Sequence, residues 1–557
     1  MRRNKLGVLA VACAGVMGSV ALFSLSACGK NTPDTEQTLE VFCWKGGYGA
    51  EWCDKLLDEF EKQDWVKEKY PELQIVFESS ADRGAVGTRL SAGEGRNTID
   101  LVFSDGLDGY IGVDNLGKEY SYELTNVVYN SMVPGENVKV IDKLTDDYRK
   151  AVMYYKYGES SADLSLPFKA YDFYWASGMM GIVYNVELLS SFGYTTAPRT
   201  TQEFVEACAT ISSDTSKEYG KEYAIMWSGG ADYSQYLYNV WWGQYEGYEN
   251  YYNYWNGISF DGEDYTEKSS DIFRQIGRKE ALDALMDVLS TANGYRYAKG
   301  ASTDFKATQR YFTTGEGVFM FNGDWFSEEN EDQVNKSQYT FRMMKTPIIS
   351  SITGKTPTIG NETELREVVS KIDAGYTTAE AAGLSGAVSE ADYAKILEAR
   401  SITYSLGPGC KSLIPVYAKG RDIAADFLRF MATDRAQEVY AEATGGASLP
   451  FKYDLKSNET LYEGFSDLQK SRYEMFNESV HGSRVLPYGP NYPLAKFGKL
   501  SEWTTFGLNG TLTSCAMNGT KTGSTSAQAV YDRDIEYWTN NNSQKWYECL
   551  RLAGYNN

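Results

Sequence analysis

An amide, a carboxylate and an indole gather where one apolar run of this chain ends. In 315-GEGVFMFNGDWF-326 the strand-like stretch Val318 to Phe321 stops at Asn322-Gly323-Asp324, and two aromatics, Trp325 and Phe326, follow at once. Glycine permits a tight turn there, and Asn and Asp tolerate one. The expected picture is a turn at the exposed tip of a core strand, with both aromatics open to solvent. Asn322 and Asp324 would then offer fixed hydrogen-bonding groups, and Trp325 a flat apolar face. A sugar ring uses both: its C–H face packs on an aromatic plane, and its hydroxyls take directed polar partners. The alternative is an ordinary turn followed by a buried indole.

Similar groups stand at the ends of other apolar runs. Trp44 closes LEVFCW (39–44), Asp105 follows IDLVF (99–103), and Trp227 follows Ala224-Ile225-Met226. Trp241 and Trp242 lie in 236-YLYNVWWGQYEGYENYYNYW-255, which could line an extended cleft or serve as core packing. Trp52, Trp65, Trp503, Trp538 and Trp546 are expected to be structural.

Other chemistries find little support. The single histidine, His481, is expected at the surface, so His-based hydrolysis and His-ligated metals have few means here. The eight cysteines include no CxxC and no Cys/His cluster, against a zinc site. Cys53 shares a helical face with Leu56, Leu57 and Phe60, and packing is its expected role. Cys43–Cys53 and Cys515–Cys549 are the disulfide pairings that export would permit. A glycosidase needs two carboxyls held about 5 to 9.5 Å apart across the scissile bond. No motif singles out such a pair among the 75 acidic residues. Peptides remain a further alternative. Asp261-Gly-Glu-Asp264 is one acidic loop that could hold a structural calcium. No P-loop occurs, which speaks against nucleotide hydrolysis by this chain. No cofactor is expected.

The elements that must position these groups follow from periodicity. After strand 39–44, Cys53, Leu56, Leu57 and Phe60 recur at helical spacing. LQIVF (73–77) predicts a second strand, 83–92 a helix and 99–103 a third strand. This β-α-β-α-β order implies an α/β fold with a parallel, doubly wound sheet, whose ligands sit beyond the carboxyl ends of the strands. A strand is predicted at Gly181–Asn185. Thr200 and Glu203 fit a capping box that opens a helix burying Phe204, Cys208 and Ile211. Helices are expected at 279–291, 363–373 and 390–399, with the last two inside a surface insert over 351–400. SLIPVY (412–417) reads as a strand, followed by a helix through Ile423, Phe427, Phe430 and Met431.

At 557 residues the chain exceeds one hydrophobic core, and at about 150 residues per domain it predicts two or more lobes. Arg2, Arg3 and Lys5 precede an uncharged run, Leu6 to Ala27, that ends in Leu25-Ser26-Ala27-Cys28-Gly29. That ending resembles a bacterial lipobox. It implies a signal peptide over 1–27, acylation of Cys28, a leash over 28–38, and export to the outer face of the bacterial cell membrane. Residues 1–27 carry three positive charges and no negative ones, so their removal takes the formal charge from −21 to −24. This speaks against nucleic acid, whose phosphates are met by Lys and Arg.

Four blocks in order resemble the extracellular solute-binding proteins of ABC importers, the family that includes maltose-binding protein. They are the lipobox with Leu39 to Phe60, 181-GIVYNVELLSSFGYTTAPRTTQEF-204, 312-FTTGEGVFMFNGDWF-326 and 418-AKGRDIAADFLRFMATDRAQEVYAEATGGASLP-450. The chain is longer than the family pattern through 232–260 and 351–400. The resemblance implies two hinge-linked α/β lobes with a cleft between them, a type II periplasmic-binding-protein-like fold. Lobe one would hold 39–167 and 405–460, and lobe two 168–404 and 461–557. It places Trp175 near the hinge. With it, the candidate ligand-binding set is Trp44, Asp105, Trp175, Trp227, Trp241, Trp242, Asn322, Asp324 and Trp325. It further implies a monomeric, non-enzymatic binding protein that delivers a carbohydrate, an oligosaccharide by expectation, to ABC permease subunits; since Tyr-rich clefts in relatives of this fold can bind ferric iron, the 43 tyrosines make iron the alternative ligand.

Overall fold

The computed structural model describes residues 35–92, 98–112, 119–152, 169–214, 223–228, 233–257, 267–405, 409–477, 484–486, 511–539 and 544–552. Leu6 to Cys28, Asp261 to Asp264, His481 and Trp503 lie outside the described residues. Among the described residues no helix is long and apolar enough to cross a membrane.

The described strands are, in chain order, β1 (Thr38–Trp44), β2 (Gln74–Ser80), β3 (Leu101–Ser104), β4 (Phe173–Tyr174), β5 (Met179–Asn185), β6 (Tyr223–Met226), β7 (Gly317–Gly323), β8 (Phe341–Met344), β9 (Ile402–Ser405), β10 (Lys411–Leu413) and β11 (Arg484–Leu486). β1 pairs in parallel with β2 and with β3, as the alternating pattern predicts. Parallel neighbours need a covering crossover, and the helix Glu51–Lys62 supplies one. Its inner face buries Trp52, Cys53, Leu56, Leu57 and Phe60. Burial of such side chains contributes about 1.5–3 kcal/mol each, which fixes the helix to the sheet.

The strands form two sheets. The first runs β2-β1-β3-β10-β4, and the second β11-β9-β5-β7-β6, with β8 also on β5. The fold is therefore mixed α/β in two lobes. The chain leaves the first sheet after β4, enters the second at β5, and returns between β9 and β10. The first crossing thus falls at 175–178, downstream of the 167/168 boundary expected from sequence. A two-residue strand such as β4 leaves no periodic signature. The second crossing falls between Ser405 of β9 and Lys411 of β10. The helix Asp467–Asn477 packs on β8, so the chain has crossed again by then.

Tyr148 holds the crossing segments together. Its hydroxyl lies 2.6 Å from the Ser177 carbonyl oxygen and 2.7 Å from Ser405 Oγ, and the Ser177 N–H donates to the Ser448 carbonyl at 2.8 Å.

Several elements differ from expectation. The strand expected over 412–417 is only Lys411–Leu413, because Pro415 carries no N–H for a ladder. β8, β9 and β11 are short and had no sequence signal. The capping box at Thr200 and Glu203 forms as expected. The helices Glu362–Asp373 and Glu390–Ser401 form close to the bounds expected at 363–373 and 390–399. They bury Leu365, Val368, Tyr393 and Ile396 rather than lying loose on the surface. All six described cysteines are buried free thiols, so neither Cys43–Cys53 nor Cys515–Cys549 is bridged.

Candidate functional site

Tyr48 reaches the meeting point of the two lobes because the loop after β1 is rich in glycine. Gly47 and Gly49 take φ values of 63° and 72°, a left-handed backbone that other residues adopt at a cost. Between them Tyr48 turns inward and is buried. Its hydroxyl donates to Oδ1 of Asp324, which belongs to the second lobe. Its ring stands edge-on to Trp175 at 6.1 Å and edge-on to Trp325 at 6.3 Å, and lies tilted against Tyr440 at 6.4 Å.

Two more rings extend this seam. Trp52 stacks on Trp175 with centroids 5.0 Å apart and planes 11° apart. Tyr236 meets Trp325 edge-on at 6.4 Å. Trp175 is oriented by its indole N–H, which donates to the Lys411 carbonyl at 3.0 Å. Such pairs contribute about 0.5–1.5 kcal/mol each beyond area burial.

Trp325 and Phe326 are buried, not exposed. The turn at the tip of β7 points into the lobe–lobe seam instead of solvent, and Phe326 belongs to the second lobe's core with Phe312 and Phe341. The Trp325 ring lies directly over Gly323, where a Cβ would fall 2.2 Å from the ring. Asn322 is also fully buried. Its Oδ1 accepts from the Gly323 N–H at 2.7 Å, and its Nδ2 has no partner among the described residues.

Asp324 is held from both lobes. Beside Tyr48, the guanidinium of Arg472 donates to the Asp324 carbonyl oxygen. Burial pushes the Asp324 carboxyl above its ordinary range, and the charge of Arg472 opposes that rise. Burial, reinforced by Asp324, pushes the Tyr48 phenol far upward, so it stays a neutral donor.

The remaining candidates lie elsewhere. Trp44 folds back over Gly46, and its N–H donates to the Ala81 carbonyl at 3.4 Å. Asp105 is half-buried just after β3. Trp227 is buried under the Arg296 guanidinium, 5.5 Å from its ring. Trp241 donates to the Pro347 carbonyl at 3.0 Å, and Trp242 donates to Gln275 Oε1 at 2.7 Å. Trp242 packs edge-on against Tyr251 and Tyr254, each at 4.7 Å. The structure thus gathers Trp175, Asp324 and Trp325 at the seam, with Asn322 adjoining in the β7 turn. It gives Trp241 and Trp242 packing partners inside the second lobe. Of the Tyr-rich segment, the first turn reaches the seam through Tyr236.

Sequence reading did not place Tyr48, Tyr440 or Arg472 at the seam, and it took Trp52 as structural, which its full burial fits. The Gly46-Gly47-Tyr48-Gly49 run was a legible signal for Tyr48, since glycines around one aromatic free its backbone to turn. Nothing local marks Arg472.

Residues 47–379 match the model of the bacterial extracellular solute-binding proteins. The chain belongs to that family. No curated protein matches the chain. Among solved structures, this solute-binding protein is similar to an ABC transporter solute-binding protein from Thermotoga lettingae TMO bound with α-D-tagatose. That pair shares 12% identity over 92% of this chain and 100% of the other, with a TM-score of 0.51. It is also similar to the ABC substrate-binding protein Lmo0181 from Listeria monocytogenes in complex with cycloalternan. There the identity is 12% over 93% of this chain and 99% of the other, again with a TM-score of 0.51. At such identity these likenesses speak to the fold, which is that of a two-lobed binding protein.

Proposed function

We propose that this solute-binding protein captures a carbohydrate, an oligosaccharide, between its lobes and delivers it to the permease of an ABC transporter. Acylation at Cys28 would hold it on the outer face of the bacterial membrane, as a monomer, with no catalytic step of its own. The observation that carries the reading is the seam itself. Tyr48 stands edge-on to Trp175 and Trp325 and donates to one buried carboxylate, Asp324, and the contributing residues come from both lobes. Indole and phenol faces suit the C–H faces of sugar rings, and Asp324 suits hydroxyls that donate. The two similar structures with bound tagatose and cycloalternan support the ligand class.

The work is conformational. A ligand that touches both lobes favours their juxtaposition by the contacts it gains there. The permease then reads the juxtaposed shape.

A thermal-shift and tryptophan-fluorescence panel of mono- and oligosaccharides tests the reading, because a ligand that binds only the native state raises Tm. At least one sugar should raise Tm, and Trp325→Ala should weaken its binding at least tenfold while the fold survives. A shift with ferric iron or peptides and none with any sugar would replace carbohydrate as the ligand. Cleaved product after long incubation would make the chain a hydrolase.

A further inference from the structure

One guanidinium bonds to both lobes at the edge of the seam. Arg472 lies on the helix Asp467–Asn477, which packs on β8 of the second lobe through Ser471, whose Oγ accepts from the Met343 N–H at 2.9 Å. From there Arg472 donates to the Asp324 carbonyl, to Ser327 Oγ at 3.1 Å and to Glu328 Oε2 at 3.1 Å. Its other terminal nitrogen crosses to the first lobe. It donates to the Thr444 carbonyl at 2.7 Å and also to the Gly445 carbonyl. Those carbonyls follow the helix Asp434–Ala443, which packs on the first lobe's helix Glu51–Lys62. The approach is close. A Cβ at Gly445, whose φ is 57°, would sit 2.7 Å from Glu328 Oε1 and 2.2 Å from Gln469 Nε2.

The charges at this junction do not balance. Arg472 supplies one positive charge, and Asp324 and Glu328 supply two carboxylates. Tyr440, from the first lobe's helix, and Tyr48, from its glycine loop, face them as neutral phenols that burial keeps protonated. Excess negative charge between packed lobes is costly unless one carboxylate holds a proton.

We propose that Arg472 is a positioning residue for the lobe interface: it ties the Asp324–Glu328 turn of the second lobe to the Thr444–Gly445 carbonyls of the first, and the Glu328 carboxyl beside it makes the fit of the lobes depend on a proton. Glu328 is the group placed to hold that proton. Burial raises its carboxyl to about 7, against the opposing charge of Arg472 and with a further push from Asp324. A carboxyl whose value is raised where the lobes meet binds its proton more tightly there than when they part. Juxtaposition then loses favour progressively as pH rises from the ordinary carboxylate range toward about 7, and above that the proton contributes nothing further to it. One coupled proton changes the ratio of juxtaposed to parted forms by at most about tenfold per pH unit. The proposal concerns lobe motion and holds whichever ligand the seam takes.

The test is small-angle scattering of the ligand-free mature chain from pH 5.5 to 8.5, with melting followed in parallel. The wild type should expand as pH rises toward about 7 and change no further above it. Glu328→Gln should remove that step and stay compact throughout, because a neutral amide stands in for the protonated acid. Arg472→Met should be expanded at every pH, and Arg472→Lys, which keeps the charge with fewer donors, should recover part of the compaction. A wild-type profile that is flat, or one that Glu328→Gln leaves unchanged, would overturn the proton linkage. An Arg472→Met chain as compact as the wild type would overturn the tie. Should Arg472→Met fail to fold, the Glu328→Gln profile still decides, since a purely structural contact predicts no difference in pH response.

Discussion

Replacing Gly323 by Ala would place a methyl group where the Trp325 indole lies. A Cβ on the existing backbone falls 2.2, 2.3 and 2.5 Å from three carbons of the six-membered ring. Carbon atoms rest at about 3.5–4.0 Å, so the indole must retreat by about 1.5 Å. It has little freedom to do so, because Tyr48 stands edge-on to it from the first lobe and Tyr236 from the second. Overpacking of this kind costs about 1–3 kcal/mol. Gly323→Ala should therefore lower Tm by several degrees, with a change in intrinsic fluorescence, and it should weaken sugar binding because the displaced ring presses on Tyr48. The Gly323→Ala/Trp325→Ala pair isolates the cause. With the indole gone the methyl meets open space, so the double variant should be about as stable as Trp325→Ala alone. Two effects that simply add, or a Gly323→Ala chain that melts with the wild type, would show that the indole does not rest on Gly323.

Two further variants test contacts away from the seam, inside the second lobe. Trp242→Ala should cost about 3–5 kcal/mol by opening a cavity among Tyr251, Tyr254 and Gln275. The rank order of sugars should survive in the fraction that folds, and a reordered panel would move Trp242 from core to cleft. Asp373 accepts two bonds from Arg400, both at 2.9 Å. Burial alone would raise its carboxyl, but Arg400, Lys345 and Arg199 outweigh burial and hold it below its ordinary value. The sign follows from that depression: the contribution is present above the unfolded value and disappears as pH falls. Asp373→Asn should thus destabilise by at most about 3–5 kcal/mol near neutrality, with the gap from wild type narrowing by pH 3. An equal gap at both pH values, read by urea denaturation, would refute it.

The elements that carry their own period were legible. The helix Glu51–Lys62 was readable from Cys53, Leu56, Leu57 and Phe60, and the parallel pairing of β1 with β2 and β3 from the β-α-β-α-β order. The Thr200–Glu203 capping box is a motif four residues long, and the structure contains it. The strands without a sequence signal, β4, β8, β9 and β11, span two to four residues, too few for any alternation to show. Trp325 illustrates a different limit. Its neighbours in sequence suggested an exposed turn, yet the apposition of a second lobe buries it. Trp52, one of several isolated tryptophans read as structural, sits against Trp175 in the same seam.

By itself the amino-acid sequence determined the α/β class, the order of the main strands and helices, and the likeness to solute-binding proteins, because hydrophobic period, caps and turns act over a few residues. Which side chains meet was decided by tertiary structure. Tyr48 and Asp324 are 276 positions apart, and Arg472 lies 148 from Asp324. Such contacts depend on how three crossings of the chain bring two separately built lobes together, and no local pattern records that.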